Sequence, residues 1–279
     1  MLLDQATRER EYSPSSAIGG DYAAYLERYR VQSAEALRSL SVQRDLRYGA
    51  EPRARLDFFP APDTVHGAGL LVYIHGGYWQ ELAKEHFAFL APAWHAAGFA
   101  CAVVGYTLAP EARLPAIVSE CREALTWLHA RADVLDFDPR NMVVAGSSAG
   151  GYLAAACGDR SIIPLRGMVC VSGIYDVAPL IGTSFNDALG LDAATAAALD
   201  LLNAGHQFHP AVVAWGEIET SEFKRQSRAF ATRLAAAGTP STCLEIPGRN
   251  HFDVILELGR PASALFSAAH SLFEAVRRD

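Results

Sequence analysis

The fold is indicated by residues 142–157, which read MVVAGSSAGGYLAAAC. Met142–Ala145 is a short apolar run typical of a buried strand, and Ala149–Cys157 consists of small residues that suit a closely packed helix. Between them lies the string GSSAG, which fits the pattern G-x-S-x-G around Ser148. The serine of this pattern sits on a tight turn from strand to helix, where glycines are needed because side chains would collide. The sequence therefore predicts Ser148 as a nucleophile, with an ordinary structural turn as the alternative.

Other short apolar runs alternate with helical patterns along the chain. They predict strands over Leu70–Ile74, Ala100–Tyr106, Gly167–Val171, Ala211–Trp215 and Thr242–Ile246. Arg44–Tyr48 and Arg55–Pro60 are candidates for two antiparallel strands on the leading edge. Continuous apolar runs of this kind are typical of parallel strands that are covered on both faces. We therefore predict one α/β domain over residues 1–279, with an eight-stranded, mostly parallel sheet and helices on both faces. Its last helix is expected to open at Pro261, with an apolar face of Leu265, Ala269, Leu272 and Val276.

Two segments depart from this alternation of strand and helix. Residues 1–40 form an N-terminal helical segment with a stripe of Tyr22, Tyr25 and Tyr29. We expect the stripe to pack against the domain, and a direct role in ligand binding is the alternative. Residues 177–210 lie between two predicted strands and are longer than a plain connection, so they are a candidate cap over a pocket or a crossover helix with a long loop.

The composition excludes several classes of function. The chain of 279 residues is 51% hydrophobic and 20% charged, with a formal net charge of −7. Its scattered basic residues and mild acidity argue against nucleic-acid binding and against attraction to an anionic membrane. Charges occupy Met1–Arg10, where a secretion signal needs an apolar core, so we expect a cytoplasmic protein. Its five cysteines lie in apolar segments and are expected to be buried and reduced; their spacing matches no zinc site. The sequence leaves the oligomeric state open, a homodimer included.

A second functional segment follows the strand Leu70–Ile74 and reads His75-Gly76-Gly77-Tyr78-Trp79. Acyl transfer needs preset N–H donors for the oxyanion of the tetrahedral intermediate. One is the backbone N–H of Ala149, after the candidate nucleophile, and the other is expected from the loop of Gly76 and Gly77. A plain strand-ending turn is the alternative, and His75 is expected to hold the loop rather than to react.

The general base and the acid should follow the nucleophile in the order serine, acid, histidine. His251 comes directly after the last predicted strand, at the strand end where parallel sheets form their active sites. The acid should follow the strand Ala211–Trp215, which selects Glu219. Glu217 is its closest rival, whereas Glu222 suits the first turn of the next helix.

Three strings resemble the hormone-sensitive-lipase-like branch of the α/β hydrolases: HGGYW at 75–79, YTLAP at 106–110 and GSSAG at 146–150. Tyr-Trp after HGG resembles the serine-type kynurenine formamidases and their bacterial relatives, and the likeness covers nearly the whole chain. It implies an α/β-hydrolase fold with a small cap, and hydrolysis of a formamide or small acyl group without a cofactor. In two places the chain departs from these relatives: Glu219 stands where they usually carry aspartate, and Ser147 where many carry histidine.

These residues favour a serine hydrolase that acts on a small molecule through an acyl-enzyme. An arylformamidase or related amidase is the first choice, with Tyr78 and Trp79 as a wall for a flat leaving group; Trp79 packing under the first helix is the alternative. A small-acyl carboxylesterase is the runner-up. A binding protein that has lost the chemistry would usually lack Ser148 or His251, and a metal-dependent formamidase would need a cluster of histidine and carboxylate ligands that the sequence does not present.

Overall fold

The structure, a computed structural model, describes residues 3–203 and 205–274. These residues form one sheet of eight strands. The strands are β1 (Gln43–Arg47), β2 (Arg55–Phe59), β3 (Ala68–Ile74), β4 (Ala100–Val104), β5 (Phe137–Ser147), β6 (Gly167–Val171), β7 (Ala211–Ile218) and β8 (Ser241–Asn250). In space they follow the order β1-β2-β4-β3-β5-β6-β7-β8. Strand β2 runs antiparallel to β1 and β4, and the other neighbours are parallel, which confirms the predicted sheet.

Helices cover both faces of the sheet. They are α1 (Gln5–Glu11), α2 (Ala23–Ser39), α3 (Ala91–Ala96), α4 (Leu114–His129), α5 (Ala132–Leu135), α6 (Ala149–Cys157), α7 (Asn186–Leu189), α8 (Ala193–Ala198), α9 (Ser221–Ala236) and α10 (Ala264–Glu274), with short 3₁₀ turns at 14–18, 84–86, 88–90, 178–180 and 254–259. Alternate residues of the central strands enter two separate cores. On β3, Val72 belongs to the core that includes buried residues of α4, α6 and α9, whereas Leu71 and Tyr73 belong to the core that includes buried residues of α2, α3 and α10. Within the described ranges, no helix is both long enough and apolar enough to cross a membrane.

Helix α10 begins later than the sequence predicts. The prediction that Pro261 opens it is wrong, because the helix starts at Ala264. The Ser263 hydroxyl oxygen accepts the N–H of Phe266 at 2.9 Å, so Ser263 satisfies a free donor at the start of the helix. Leu265, Ala269 and Leu272 are buried as expected, and Val276 lies outside the described residues.

The cysteines are free thiols, and four of them are buried: Cys101, Cys121, Cys157 and Cys170. The prediction of burial is wrong for Cys243, which is exposed. It lies on β8, the last strand in the spatial order of the sheet, and the first three residues of that strand are all exposed. An apolar run on an edge strand is not covered in the way that a central strand is.

The N-terminal segment is held against the start of α9 by a buried tyrosine. The Tyr12 side chain is fully buried, and its hydroxyl donates to Glu222 at 2.8 Å. The same hydroxyl oxygen accepts from the Gln226 amide at 3.0 Å. The Thr220 hydroxyl also donates to the carbonyl of Glu11. Residues 11–15 are thereby brought to the carboxyl end of the sheet, more than 200 positions away from α9 in sequence.

Phe230 of α9 packs between Tyr175, just before segment 177–210, and Phe208, near the end of that segment. Its ring stacks on Tyr175 with 4.1 Å between centroids and meets Phe208 edge-on at 5.2 Å. All three side chains are buried. Segment 177–210 therefore begins and ends against one aromatic cluster.

Phe230→Ala should lower the free energy of unfolding by about 3–5 kcal/mol, because it leaves a cavity where two other rings lose their contacts. Urea denaturation followed by fluorescence measures this loss. Val134→Ala is the matched control, since the Val134 side chain is 84% exposed and its truncation should cost at most about 0.5 kcal/mol. Equal costs for the two variants would contradict this packing.

Candidate active site

Ser148 occupies a strained turn between β5 and α6. Its backbone lies at φ 56° and ψ −125°, outside the regions that residues with a Cβ favour. The Ser148 N–H donates to the Val171 carbonyl at 2.8 Å, which fixes the turn to β6. A Cβ on Gly146 would overlap the carbonyl of Gly150, and a Cβ on Gly150 would overlap that of Ile74. The strand–turn–helix predicted from GSSAG is present, and its glycines are needed for close backbone packing.

The loop after β3 lies directly on this turn. A Cβ on Gly76 would come within 2.7 Å of the Ser147 carbonyl oxygen and 3.1 Å of the Ser148 Cβ. His75 is buried, stacks on Tyr106 at 4.3 Å, and places its Nδ1 2.8 Å from the Gly76 carbonyl. Burial lowers the pKa of His75 to about 4, so the imidazole is neutral at neutral pH and its Nδ1–H donates to that carbonyl. His75 thus holds the shape of the loop.

His251 follows β8 directly and contacts a buried carboxylate. Its Nδ1 lies 3.0 Å from Oε2 of Glu219, and the Glu219 side chain is fully buried. Of the rival carboxylates, Glu217 is exposed and accepts the N–H of Gly248 at 2.8 Å. Glu222 accepts from the Tyr12 hydroxyl, as described above. Among the three carboxylates considered, the contact with His251 belongs to Glu219.

A cavity of about 180 Å³ joins these elements. Ser148, His251, Gly76 and Gly77 all line it. Ala149 is the first residue of α6, so its N–H has no partner within the helix. Tyr78 lines the cavity too; its ring stacks on Phe185 at 4.3 Å and its hydroxyl donates to the carbonyl of Tyr12. The arrangement brings a hydroxyl, an imidazole and a glycine-rich loop to one apolar pocket. In the described ranges, no group of three or more His, Cys, Asp or Glu could hold a metal ion.

Trp79 lies behind the cavity and not at its surface. Its side chain is fully buried and meets the ring of Tyr152 on α6 edge-on at 5.6 Å. Trp79 is absent from the described residues that line the cavity. Its placement favours the packing interpretation, although the helix it packs against is α6 and not the first one.

The N-terminal segment contributes more to the cavity than the sequence led us to expect, since a role in ligand binding was only the alternative for the tyrosine stripe. Leu26 and Tyr29 of α2 line the cavity, and so do Tyr22, directly before the helix, and the turn of Ser13–Ser15. The Tyr22 ring stacks on Phe252, the neighbour of His251, with 4.9 Å between centroids. The spacing of four and three residues between Tyr22, Leu26 and Tyr29 places these side chains on one face of a helical segment, and this signal was available in the sequence. From segment 177–210, Phe185 reaches the cavity wall.

Similarity to known proteins agrees with this architecture. A family model described as the alpha/beta hydrolase fold matches residues 71–254. Kynurenine formamidase from Salmo salar is 29% identical over 76% of this chain and 75% of its own length, and that of Drosophila melanogaster is 27% identical over 76% and 75%. Esterase LipC from Mycobacterium tuberculosis is 31% identical over 42% of this chain and 29% of its own. A crystal structure of a candidate thioesterase from a Silicibacter species is 28% identical and superposes with a TM-score of 0.83 over 94% of this chain and 98% of that one.

Glu219→Gln should lower the catalytic constant by up to about 10⁴-fold. The N–H of Gly216 and the hydroxyl of Ser172 both donate to Oε1, at 2.6 Å each, so a glutamine would turn its carbonyl towards them. Its amide nitrogen would then face Nδ1 of His251. The amide N–H and an N–H at Nδ1 are both donors and cannot pair, so the neutral His251 would carry its proton on Nε2 instead. A protonated Nε2 cannot accept the proton of Ser148. Steady-state hydrolysis of an activated aryl ester measures the loss.

Glu217→Gln is the control for this prediction. It makes the same chemical change two residues away, at an exposed side chain, and should leave the catalytic constant nearly unchanged. A large loss in Glu217→Gln with none in Glu219→Gln would assign the acid to Glu217.

Proposed function

Since this chain belongs to the α/β-hydrolase fold family, we propose that it is a serine hydrolase with Ser148 as nucleophile, His251 as general base and Glu219 as the acid that orients the histidine. The observation that carries the proposal is the 3.0 Å contact between His251 and the fully buried Glu219 beside a cavity that Ser148 also lines. A buried carboxylate on one imidazole nitrogen leaves the other nitrogen to take a proton.

The steps follow from this geometry. His251 accepts the Ser148 proton at Nε2 while the serine oxygen attacks the substrate carbonyl. The backbone N–H groups of Ala149 and of the loop at Gly76 and Gly77 stabilise the oxyanion. His251 then protonates the leaving amine or alcohol, and water releases the acyl group by the same steps.

For the substrate we propose an aryl formamide or a related small amide, such as N-formylkynurenine. Two features support it: the similarity to kynurenine formamidases over three quarters of both chains, and the size and lining of the cavity. About 180 Å³ is small beside the roughly 300–1,000 Å³ of ordinary ligand pockets. Its aromatic side chains are Tyr22, Tyr29, Tyr78, Phe87, Phe185 and Phe252. Aromatic walls suit a flat leaving group, and a small site suits the smallest acyl unit.

A carboxylesterase with a small acyl site is the second candidate. The similarity to an esterase of Mycobacterium tuberculosis favours it. Serine, histidine and acid act in the same way on both substrate classes, so acyl selectivity separates the two candidates.

Ser148→Ala should abolish turnover and the covalent labelling by an aryl phosphonate probe, because it removes the attacking oxygen and little else. Intact-protein mass spectrometry detects the adduct. Ser147→Ala is the neighbouring control: it should keep the labelling, although the buried Tyr73 hydroxyl, 2.9 Å from Ser147 Oγ, loses its partner. Turnover or labelling near the wild-type level in Ser148→Ala would overturn the nucleophile assignment.

The specificity constant should fall as the acyl group grows from formyl to butyryl on one fixed aryl amine or phenol. Rates are divided by those of hydroxide-catalysed hydrolysis, because formyl compounds are intrinsically more reactive. One methylene shifts such ratios by about tenfold to 200-fold, so the leaving group must be identical across the series. We therefore expect an aryl formamide to be a better substrate than the butyramide of the same amine. A steady rise with acyl length would identify a carboxylesterase.

A further inference from the structure

Ser172 contacts the oxygen of Glu219 that faces away from His251. Its hydroxyl donates to Oε1 at 2.6 Å, and the N–H of Gly216 donates to the same oxygen at 2.6 Å. Oε2 is left for His251. Each carboxylate oxygen therefore has its own partners, and the plane of the carboxylate is set by donors on both sides. Charge-assisted hydrogen bonds of this length are among the stronger ones in proteins.

We infer that Ser172 is a positioning residue for the proposed hydrolysis: its hydroxyl fixes the Glu219 carboxylate so that Oε2 meets His251. The inference rests on the proposed function. Ser172 is buried and is absent from the described residues that line the cavity, so it acts through Glu219 and not on the substrate.

The backbone of Ser172 supports this role. Its φ is 50°, a left-handed conformation that glycine adopts without strain and serine does not. The Ser172 N–H donates to the Ala214 carbonyl at 2.8 Å, which ties the strained residue to β7. Glycine would suit this backbone better, and the hydroxymethyl group is all that serine adds. That hydroxyl donates its hydrogen bond to Glu219.

The side chain of Glu219 explains why a second donor is needed. Glutamate has one more rotatable bond than aspartate, so its carboxylate has more orientations to lose. The Gly216 N–H alone holds Oε1 at one point and leaves the carboxylate free to rotate about the additional side-chain bond. A second donor at the same oxygen, from the neighbouring strand end, removes this freedom.

Ser172→Gly and Ser172→Ala test the inference together, measured on an aryl formamide and on para-nitrophenyl acetate. Both variants lose the hydroxyl, so both should lower the catalytic constant by about ten- to a hundredfold with little change in KM. Labelling by the phosphonate should slow by a similar factor, because it uses the same base. Ser172→Gly relieves the backbone and should melt no lower than Ser172→Ala. A loss of rate in Ser172→Gly would therefore show that the missing hydroxyl, and not reduced stability of the fold, lowers the catalytic constant.

A double-mutant cycle shows whether the effect passes through the carboxylate. In the Glu219→Gln background, Ser172→Gly should cost almost nothing further, because the group it positions is already impaired. Ser161→Ala is the matched control: the Ser161 hydroxyl donates to Asp159 at 2.8 Å, the same serine-to-carboxylate bond, away from the cavity lining. It should keep full activity.

Wild-type rates in both Ser172 variants, or additive losses with Glu219→Gln, would overturn the inference. A rise in KM with an unchanged catalytic constant would also overturn it, because Ser172 would then affect substrate binding. Failure of the proposed function has a different signature: Ser148→Ala would then keep turnover, whatever the Ser172 variants do.

Discussion

The backbones of β3, β5 and α6 approach one another at the Ser148 turn so closely that no side chain fits between them. Gly146 and Gly150 meet neighbouring carbonyls at the positions where a Cβ would stand, and Gly76 meets the carbonyl of Ser147. This contact holds Ser148 at a φ of 56°, a conformation that costs about 1–3 kcal/mol and persists only where the surroundings enforce it. The candidate nucleophile, the loop beside it and the start of α6 are thereby fixed in one arrangement.

Elements that depend on local chemistry were predictable from the sequence. The GSSAG turn needs glycines at fixed positions, and the buried strands are short apolar runs, so both were recognised without any knowledge of the fold. His251 and Glu219 were predicted as base and acid from chain order, since each follows a strand at the edge where parallel sheets form their sites. The choice of Glu219 over Glu217 was less certain from the sequence, because the alternation of strand and helix patterns does not show which of two nearby carboxylates turns inward. The structure places Glu219 inside and Glu217 in solvent.

Features that depend on distant packing could not be derived in the same way. The Tyr22 stripe was visible, but its partner Phe252 lies 230 positions later, and nothing local states that the two stack. Trp79 carries the same apolar signal as a pocket residue, and its burial against Tyr152 depends on how α6 crosses the loop. Cys243 was placed inside because an apolar run does not reveal that its strand ends the sheet. In each case the sequence gives the residue but not the distant part of the chain that packs, or fails to pack, against it.

The N-terminal segment changes the interpretation of the pocket, because part of the pocket wall comes from residues that precede the first strand of the sheet. Ser13–Ser15 line the pocket beside Tyr12, whose hydroxyl is held by Glu222 and Gln226. Helix α2 is attached at the end of β8, where the Tyr25 hydroxyl accepts from the Asn250 amide at 2.8 Å and the Tyr29 hydroxyl donates to the Phe252 carbonyl. Tyr78 connects the two parts, since it follows the glycine loop and donates to the Tyr12 carbonyl. The shape of the substrate site is therefore coupled to the loop proposed to hold the oxyanion.

At the carboxyl edge of the sheet, the hydrogen bonds of the strands continue into the site. The Ser148 N–H donates to Val171 at the end of β6, and the Ser172 N–H donates to Ala214 of β7. Gly216, near the end of β7, then donates to Glu219, which contacts His251. Ser148 and Ser172 are thus equivalent in position, the first residues beyond adjacent strands, and both have positive φ. The same ladder that orders the sheet sets the distance from nucleophile to acid, so the rigidity of the central strands is passed to the groups that must stay aligned.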